Sequence, residues 1–155
     1  MPVSSNARKG ARLQDCFKIE KVSWQTHAQQ LTFIRKAVFI DEQNVPVELE
    51  WDGLDETADH LLAYHTLGEA IGCARLLGDG RVGRMAVLKD WRNLNAGTTL
   101  LQAAIEEYRA QGQMLVKLSA QIHAIGFYEK FGFKLCSETY LDAGIVHRDM
   151  QRIHV

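Results

Sequence analysis

The sequence predicts a mixed α/β (α+β) domain, a mostly antiparallel central sheet of about six to seven strands flanked by helices. Three observations predict it. The chain opens on a period-two alternation, its middle holds three short apolar runs separated by glycine turns, and two helical stripes interleave with further strand-like runs toward its end.

Apolar and charged residues alternate from Phe17 to Lys21, so residues 16–22 read as a half-buried strand. From Trp24 the spacing turns helical: Leu31, Ile34, Arg35, Val38 and Phe39 share one stripe, and the helix is expected to end near Ile40. Gln43-Asn44-Val45-Pro46 cannot continue it, because proline lacks an amide donor and pushes the preceding residue toward extended geometry. Residues 42–59 are therefore expected to form a loop. It is acidic, with Glu42, Glu48, Glu50, Asp52, Asp55, Glu56 and Asp59, and fits either a solvated loop or a surface facing a cationic substrate.

Residues 60–66, 69–77 and 81–88 read as an antiparallel meander turned at Leu67-Gly68 and Gly78-Asp79-Gly80. A helix from about Gly97 to Ala110 follows, since Leu100, Leu101, Ala104, Ile105 and Tyr108 share a face and Gly112 is placed for a left-handed cap. Residues 114–120 form another apolar strand, 122–131 a short helix stopped by Gly132, and 133–141 and 145–153 two strands joined at Asp142-Ala143-Gly144.

Residues 1–15 are polar and read as a flexible leader, and residues 16–155 as a single domain of ordinary one-core length. With 46% hydrophobic and 24% charged residues the chain is globular in composition, and a net charge of -1 provides no general field for nucleic acid or anionic membrane. Neither is an expected partner, and an anionic ligand must be held locally. Cys16, Cys73 and Cys136 show neither zinc-site spacing nor a disulfide framework, so no metal is expected. No apolar run is long enough to span a bilayer and the leader lacks a signal-peptide core, which makes a cytoplasmic location the expectation.

The junction most suited to chemistry runs from Met85, Ala86 and Val87 into Arg92, Asn93, Leu94, Asn95, Ala96, Gly97 and Thr98. Free amides at a helix N-terminus carry partial positive charge and can seat a phosphate. Asn93, Asn95 and Gly97 can take the left-handed states such a cradle requires. The loop has neither the three-glycine spacing of a dinucleotide fingerprint nor the Gly-Lys-Ser/Thr ending of a nucleotide P-loop, and taken alone it also fits an ordinary capped helix.

The loop resembles motif A of the GNAT acetyltransferases, an Arg/Gln-x-x-Gly-x-Gly/Ala run after the fourth strand that holds the CoA pyrophosphate. Arg92 through Gly97 matches in spacing, with Asn95 where the first motif glycine stands and Asn93 in place of another. Asparagine visits left-handed geometry more readily than other non-glycine residues, and backbone amides would grip the anion. Residues 118–133, ending Phe127-Tyr128-Glu129-Lys130-Phe131-Gly132-Phe133, resemble motif B of the same family almost throughout. The resemblance puts Gln121 where many members carry asparagine, and Tyr128 on the tyrosine that protonates the departing CoA thiolate. It also implies that the main chain of Met85, Ala86 and Val87 pairs with the pantetheine arm. Residues 38–46, Asp52-Gly53-Leu54-Asp55, Asp59-His60-Leu61-Leu62 and Ala143-Gly144-Ile145-Val146-His147 together resemble the ElaA-like subgroup, with Val146 in place of that subgroup's usual proline.

The implied activity is acetyl-CoA-dependent N-acetylation of a primary amine, by direct transfer in a ternary complex. Such a transfer needs loss of an amine proton, stabilisation of an oxyanion and a proton for the leaving sulfur. A phenol titrating near ~10 can donate to a thiolate whose acid titrates near ~8.5; taken alone, Tyr128 also fits one more core aromatic beside Phe127 and Phe131. His60 is the candidate base, since an imidazole titrates near ~6.5. Glu42, His123 and His147 are its rivals and candidate acceptor contacts, and ordered water is the alternative. The acceptor is expected to be a small-molecule or peptide amine, cationic by the acidity of residues 42–59, and a homodimer is admitted. The asparagines of the cradle and the unassigned base motivate a second reading, a non-catalytic acyl-CoA-binding or regulatory module of the same fold.

Overall fold

A computed structural model describes residues 17–154; the expected leader and Cys16 lie outside the described residues. The alternating stretch forms β1 (Lys18–Val22), and Ser23 ends it by accepting the Thr26 amide at 3.2 Å, the cap that starts α1 (Trp24–Arg35). The helical stripe then runs past Ile40, because Lys36–Glu42 widens into a π-helix whose Gln43 amide reaches back five residues to the Val38 carbonyl. Asn44, at φ 58°, turns the chain out. Inside the expected loop Pro46 starts a short helix, α2 (Val47–Glu50), its carbonyl accepting the Leu49 and Glu50 amides.

The meander is β2 (Asp59–Tyr64), β3 (Ala70–Leu76) and β4 (Arg81–Val87), followed by a short 3₁₀ turn at Lys89–Trp91 and by α3 (Ala96–Ala110). Next come β5 (Leu115–Gln121), a 3₁₀ turn at Ile122–Ala124 and α4 (Ile125–Glu129), which Gly132 stops at φ 85°. The expected strand over residues 133–141 is two strands, β6 (Lys134–Leu135) and β7 (Tyr140–Asp142), ahead of β8 (Ile145–Ile153). Ser137 causes the break: its Oγ accepts the Asp149 amide at 2.8 Å and its carbonyl accepts Arg148 Nε at 3.0 Å, so side chains replace a ladder step.

The eight strands form one sheet in the order β1-β2-β3-β4-β5-β8-β6, with β7 also on β8, and every pair is antiparallel except β4 with β5. Each face is covered. Leu31, Ile34 and Val38 pack against Val22, Leu62, Cys73 and Ala86 on one side; Leu100, Leu101, Ala104, Ile105 and Tyr108 pack against Leu61, Ala63, Ile71 and Val116 on the other. Among the described residues no helix is long and apolar enough to cross a membrane.

Part of the acidic segment turns inward, a correction to the sequence reading for Glu50 and Asp55, which are buried, while Glu42, Glu48 and Glu56 stay exposed as a solvated loop would have them. Arg35, placed within the apolar stripe of α1 and 0% exposed, donates to Glu50 Oε2 at 2.8 Å and to Asp55 Oδ1 at 2.6 Å. Its guanidinium lies over the neighbouring rings of Trp24 and Trp51, at 5.7 and 4.9 Å. Arg75 grips Asp52 through two bonds of 2.8 Å and reaches Asp55 at 3.1 Å, and Arg84 reaches Glu50 at 3.1 Å and Asp52 at 3.2 Å. Three guanidiniums thus gather three carboxylates, of which Glu50 and Asp55 are buried. Burial opposes ionisation of Asp52 and Asp55, but the arginine hydrogen bonds outweigh it, holding Asp52 at about 2 and Asp55 below its ordinary value. Burial dominates at Glu50 and raises it despite Arg84 and Arg35.

Truncating one member of such a network leaves buried charges unpaired, so Arg35→Ala should lower the unfolding free energy by about 3–5 kcal/mol in urea titrations. Asp52 and Asp55 bind protons less readily folded than unfolded. Their contribution is complete above the unfolded carboxylate range and is lost as pH falls toward 2, while raised Glu50 contributes with the opposite sign. The drop in urea midpoint between pH 5 and pH 3 should therefore be smaller in Asp52→Asn than in the wild type.

Candidate active site

β4 and β5 pair at Arg81↔Lys117 and Val82↔Leu118, and then part. A cleft of about 390 Å³ opens between them. One wall is β4 from Gly83 to Val87; the other is Leu118, Ser119 and Gln121 of β5, with His123 from the 3₁₀ turn and Tyr128 from α4. Phe39 of the π-helix, Gln43 just after it and the β7–β8 hairpin also line the cleft, where Gln121 Nε2 donates to Gln43 Oε1 at 2.9 Å.

β4 carries one residue more than β3 between the pairs Cys73↔Ala86 and Arg75↔Gly83, a bulge marked by Arg84 at φ 47°. A bulge leaves its extra residue out of the ladder and turns the backbone around it. Here the Arg84 guanidinium goes to Glu50 and Asp52, while Met85, Ala86 and Val87 line the cleft.

Asn93 and Asn95 take left-handed states, φ 63° and 71°, the geometry glycine would otherwise supply. Asn95 begins α3 without capping it through its side chain, so the first-turn amides of Ala96, Gly97 and Thr98 have no side-chain acceptor there. A Cβ built on Gly97 would stand 3.7 Å from the Phe127 ring, whose centroid is 5.2 Å from that of Tyr128. One aromatic side chain therefore bridges the helix start and the phenol. Leu94 packs on the main core.

The structure engages Arg92 with protein groups. Its Nε donates to the Val87 carbonyl at 2.9 Å, and its two terminal nitrogens hold Glu42 at 2.9 and 2.7 Å. Glu42 is thereby paired with Arg92, and it is not among the residues that line the cleft. This bidentate pair ties the end of β4 to the end of the π-helix.

The Tyr128 ring packs on Phe127 and Phe133, and burial alone pushes its phenol up to about 12. A raised value keeps the hydroxyl protonated. His60 is not at the cleft: it lies on β2, two strands from the opening, 1% exposed, with Nε2 2.9 Å from the Asp55 carbonyl and its ring 5.6 Å from Trp24. Burial lowers its pKa, which keeps it neutral in the interior. His123 lines the cleft and is exposed; His147 lines it and is buried, with Nδ1 2.7 Å from the Ile145 carbonyl.

Residues 23–153 match the family described as the acetyltransferase (GNAT) domain. The chain belongs to the GNAT acetyltransferase family. The uncharacterized N-acetyltransferase YjcF of Bacillus subtilis is 36% identical over 125 residues, 77% of this chain and 88% of its own. Protein ElaA of Escherichia coli is 34% identical over 128 residues, 77% and 82% of the two chains, and its crystal structure superposes with a TM-score of 0.78 at 29% identity over 88% of this chain and 99% of ElaA. An acyl-CoA N-acyltransferase from Pseudomonas aeruginosa superposes with a TM-score of 0.76 at 28% identity, covering 89% and 99%. The chain is thus a GNAT protein of the ElaA-like subgroup, a group of acyl-transfer folds.

Within this GNAT fold the sequence reading missed Gln43, Arg84, Ser119, Tyr140 and Asp149. Tyr140 had a usable signal, because Ala143 and Gly144 at φ 52° and 79° make a two-residue hairpin turn, and such a turn sets Tyr140 opposite His147. Gln43 and Arg84 had none, since their partners lie 78 and 32–35 residues away. The left-handed Asn95 sets a test of the helix start: Asn95→Ala should cost about 1 kcal/mol in thermal unfolding and Asn95→Gly far less.

Proposed function

We propose that this GNAT protein is an acetyl-CoA-dependent N-acetyltransferase of the cytoplasm that passes the acetyl group directly to a primary amine in a ternary complex. The observation that carries the reading is Tyr128, a phenol kept protonated by burial and lining the cleft where β4 leaves β5, one ring away from the uncapped start of α3. The residues fit the co-substrate. The first-turn amides of Ala96, Gly97 and Thr98 would take the diphosphate, the freed main chain of Met85 to Val87 would pair with the pantetheine arm, and the amide at the bulge would face the thioester carbonyl as it gains charge. Arg92 would act by holding Val87 and Glu42 in place, leaving the anion to the backbone.

In the transfer the amine nitrogen bonds to the carbonyl carbon, the carbon–sulfur bond breaks, the amine proton leaves to a base and Tyr128 protonates the sulfur. Among the described residues direct attack is favoured over an acyl-cysteine route, because burial pushes the Cys73 thiol up to about 12 and Cys136 is not part of the cleft. Of the acids in residues 42–59 only Glu50 lines the cleft, where it is paired to Arg35 and Arg84, and the other charged residues lining it are Arg84, Arg92 and Asp142.

Thiol release from acetyl-CoA across polyamines, amino acids, aminoglycosides and peptides tests the activity. Tyr128→Phe should cut turnover by about 10²-fold or more while leaving CoA affinity nearly intact. Unchanged turnover would remove Tyr128 from the chemistry, and binding without release across the panel would favour an acyl-CoA-binding module instead.

A further inference from the structure

We infer that His147 is the general base that accepts the amine proton, an assignment that rests on the acyl-transfer reading above. His147 lies on β8, 8% exposed, and lines the same cleft as Tyr128. Its Nδ1 is 2.7 Å from the Ile145 carbonyl oxygen. A carbonyl only accepts, so Nδ1 carries the hydrogen, and in the neutral ring Nε2 is then a bare lone pair. Nε2 has no hydrogen-bond partner among the described residues and is not sealed in the interior.

The ring is also held in orientation. Tyr140 stacks on it at 6.0 Å and 20°, and the Tyr140 hydroxyl is itself fixed, donating to Asp149 Oδ1 at 2.5 Å and bonded to Ser119 Oγ. The charged and titratable groups sharing the cleft with the imidazole are Asp142 of the hairpin, Glu50, Arg84 and Arg92 on the β4 side, and His123 and Tyr128 after β5, while Tyr140 stacks on the ring and Asp149 holds the Tyr140 hydroxyl. The rivals lack this arrangement: His60 is sealed away, Glu42 is held by Arg92, and no hydrogen bond fixes a tautomer for His123.

The step balances. Nε2 takes one proton from the attacking amine as the carbon–nitrogen bond forms, Tyr128 gives one to sulfur as the carbon–sulfur bond breaks, and water returns a proton from His147 to Tyr128. The products are one amide and one free thiol.

His147→Asn is the discriminating variant, because its amide nitrogen can still donate to the Ile145 carbonyl while the base nitrogen is gone. With the amine that releases most thiol in the panel, kcat/KM should fall about 10²-fold or more and lose its acid-side limb, with acetyl-CoA affinity unchanged. A wild-type rate and pH profile in His147→Asn, alongside a dead Tyr128→Phe, would overturn the base assignment and leave the transferase reading standing. If no amine releases thiol from the wild type, the transferase reading falls and the base assignment falls with it. Independently of turnover and of how the variant folds, nitrogen NMR of the wild-type His147 ring at pH 8 should show hydrogen on Nδ1 and none on Nε2. The opposite tautomer would overturn the assignment.

Discussion

The site depends on one geometric constraint, the loss of pairing between two neighbouring parallel strands. β4 and β5 share two residue pairs and then diverge, so main-chain groups that would have completed a ladder face a cleft instead. Backbone donors and acceptors at such a place need partners from water or from a ligand. An extended arm with amides of its own, such as pantetheine, is chemically matched to that edge in the way an added strand would be.

Holding the strands apart falls to arginines on both sides of β4. Arg84 leaves the bulge for Glu50 and Asp52, and these carboxylates are fixed in turn by Arg35 and Arg75. At the other end Arg92 joins the Val87 carbonyl to Glu42. A paired, buried charge network is directional, and an apolar contact of the same size is not; it can therefore hold a non-glycine residue at φ 47° where packing alone would relax it. Glu42, Glu50, Asp52 and Asp55 serve the shape of the cleft through these arginines.

Much of this was legible in the sequence where the signal is local. Alternation placed β1, the glycine turns placed the meander, and the helical stripe placed α3 within a residue of its start. Asn93 and Asn95 were readable as left-handed positions because asparagine tolerates that geometry at low cost. What was not legible depends on distant partners. Nothing near Glu42 announces Arg92, fifty residues on. Arg35 within an apolar stripe was the one local hint that the acidic segment turns inward. His60 looked like a base from its residue type, but strand alternation puts it beside Leu62 on the α1 face, packed on Trp24.

The most direct test of the account is a crystal structure of the protein with acetyl-CoA or CoA. The account predicts the pantetheine arm lying between β4 and β5, the diphosphate on the amides of residues 96–98, and the sulfur within hydrogen-bonding distance of the Tyr128 hydroxyl. Electron density for the co-substrate anywhere else, or a sulfur directed away from Tyr128 with the cleft occupied by protein, would contradict it.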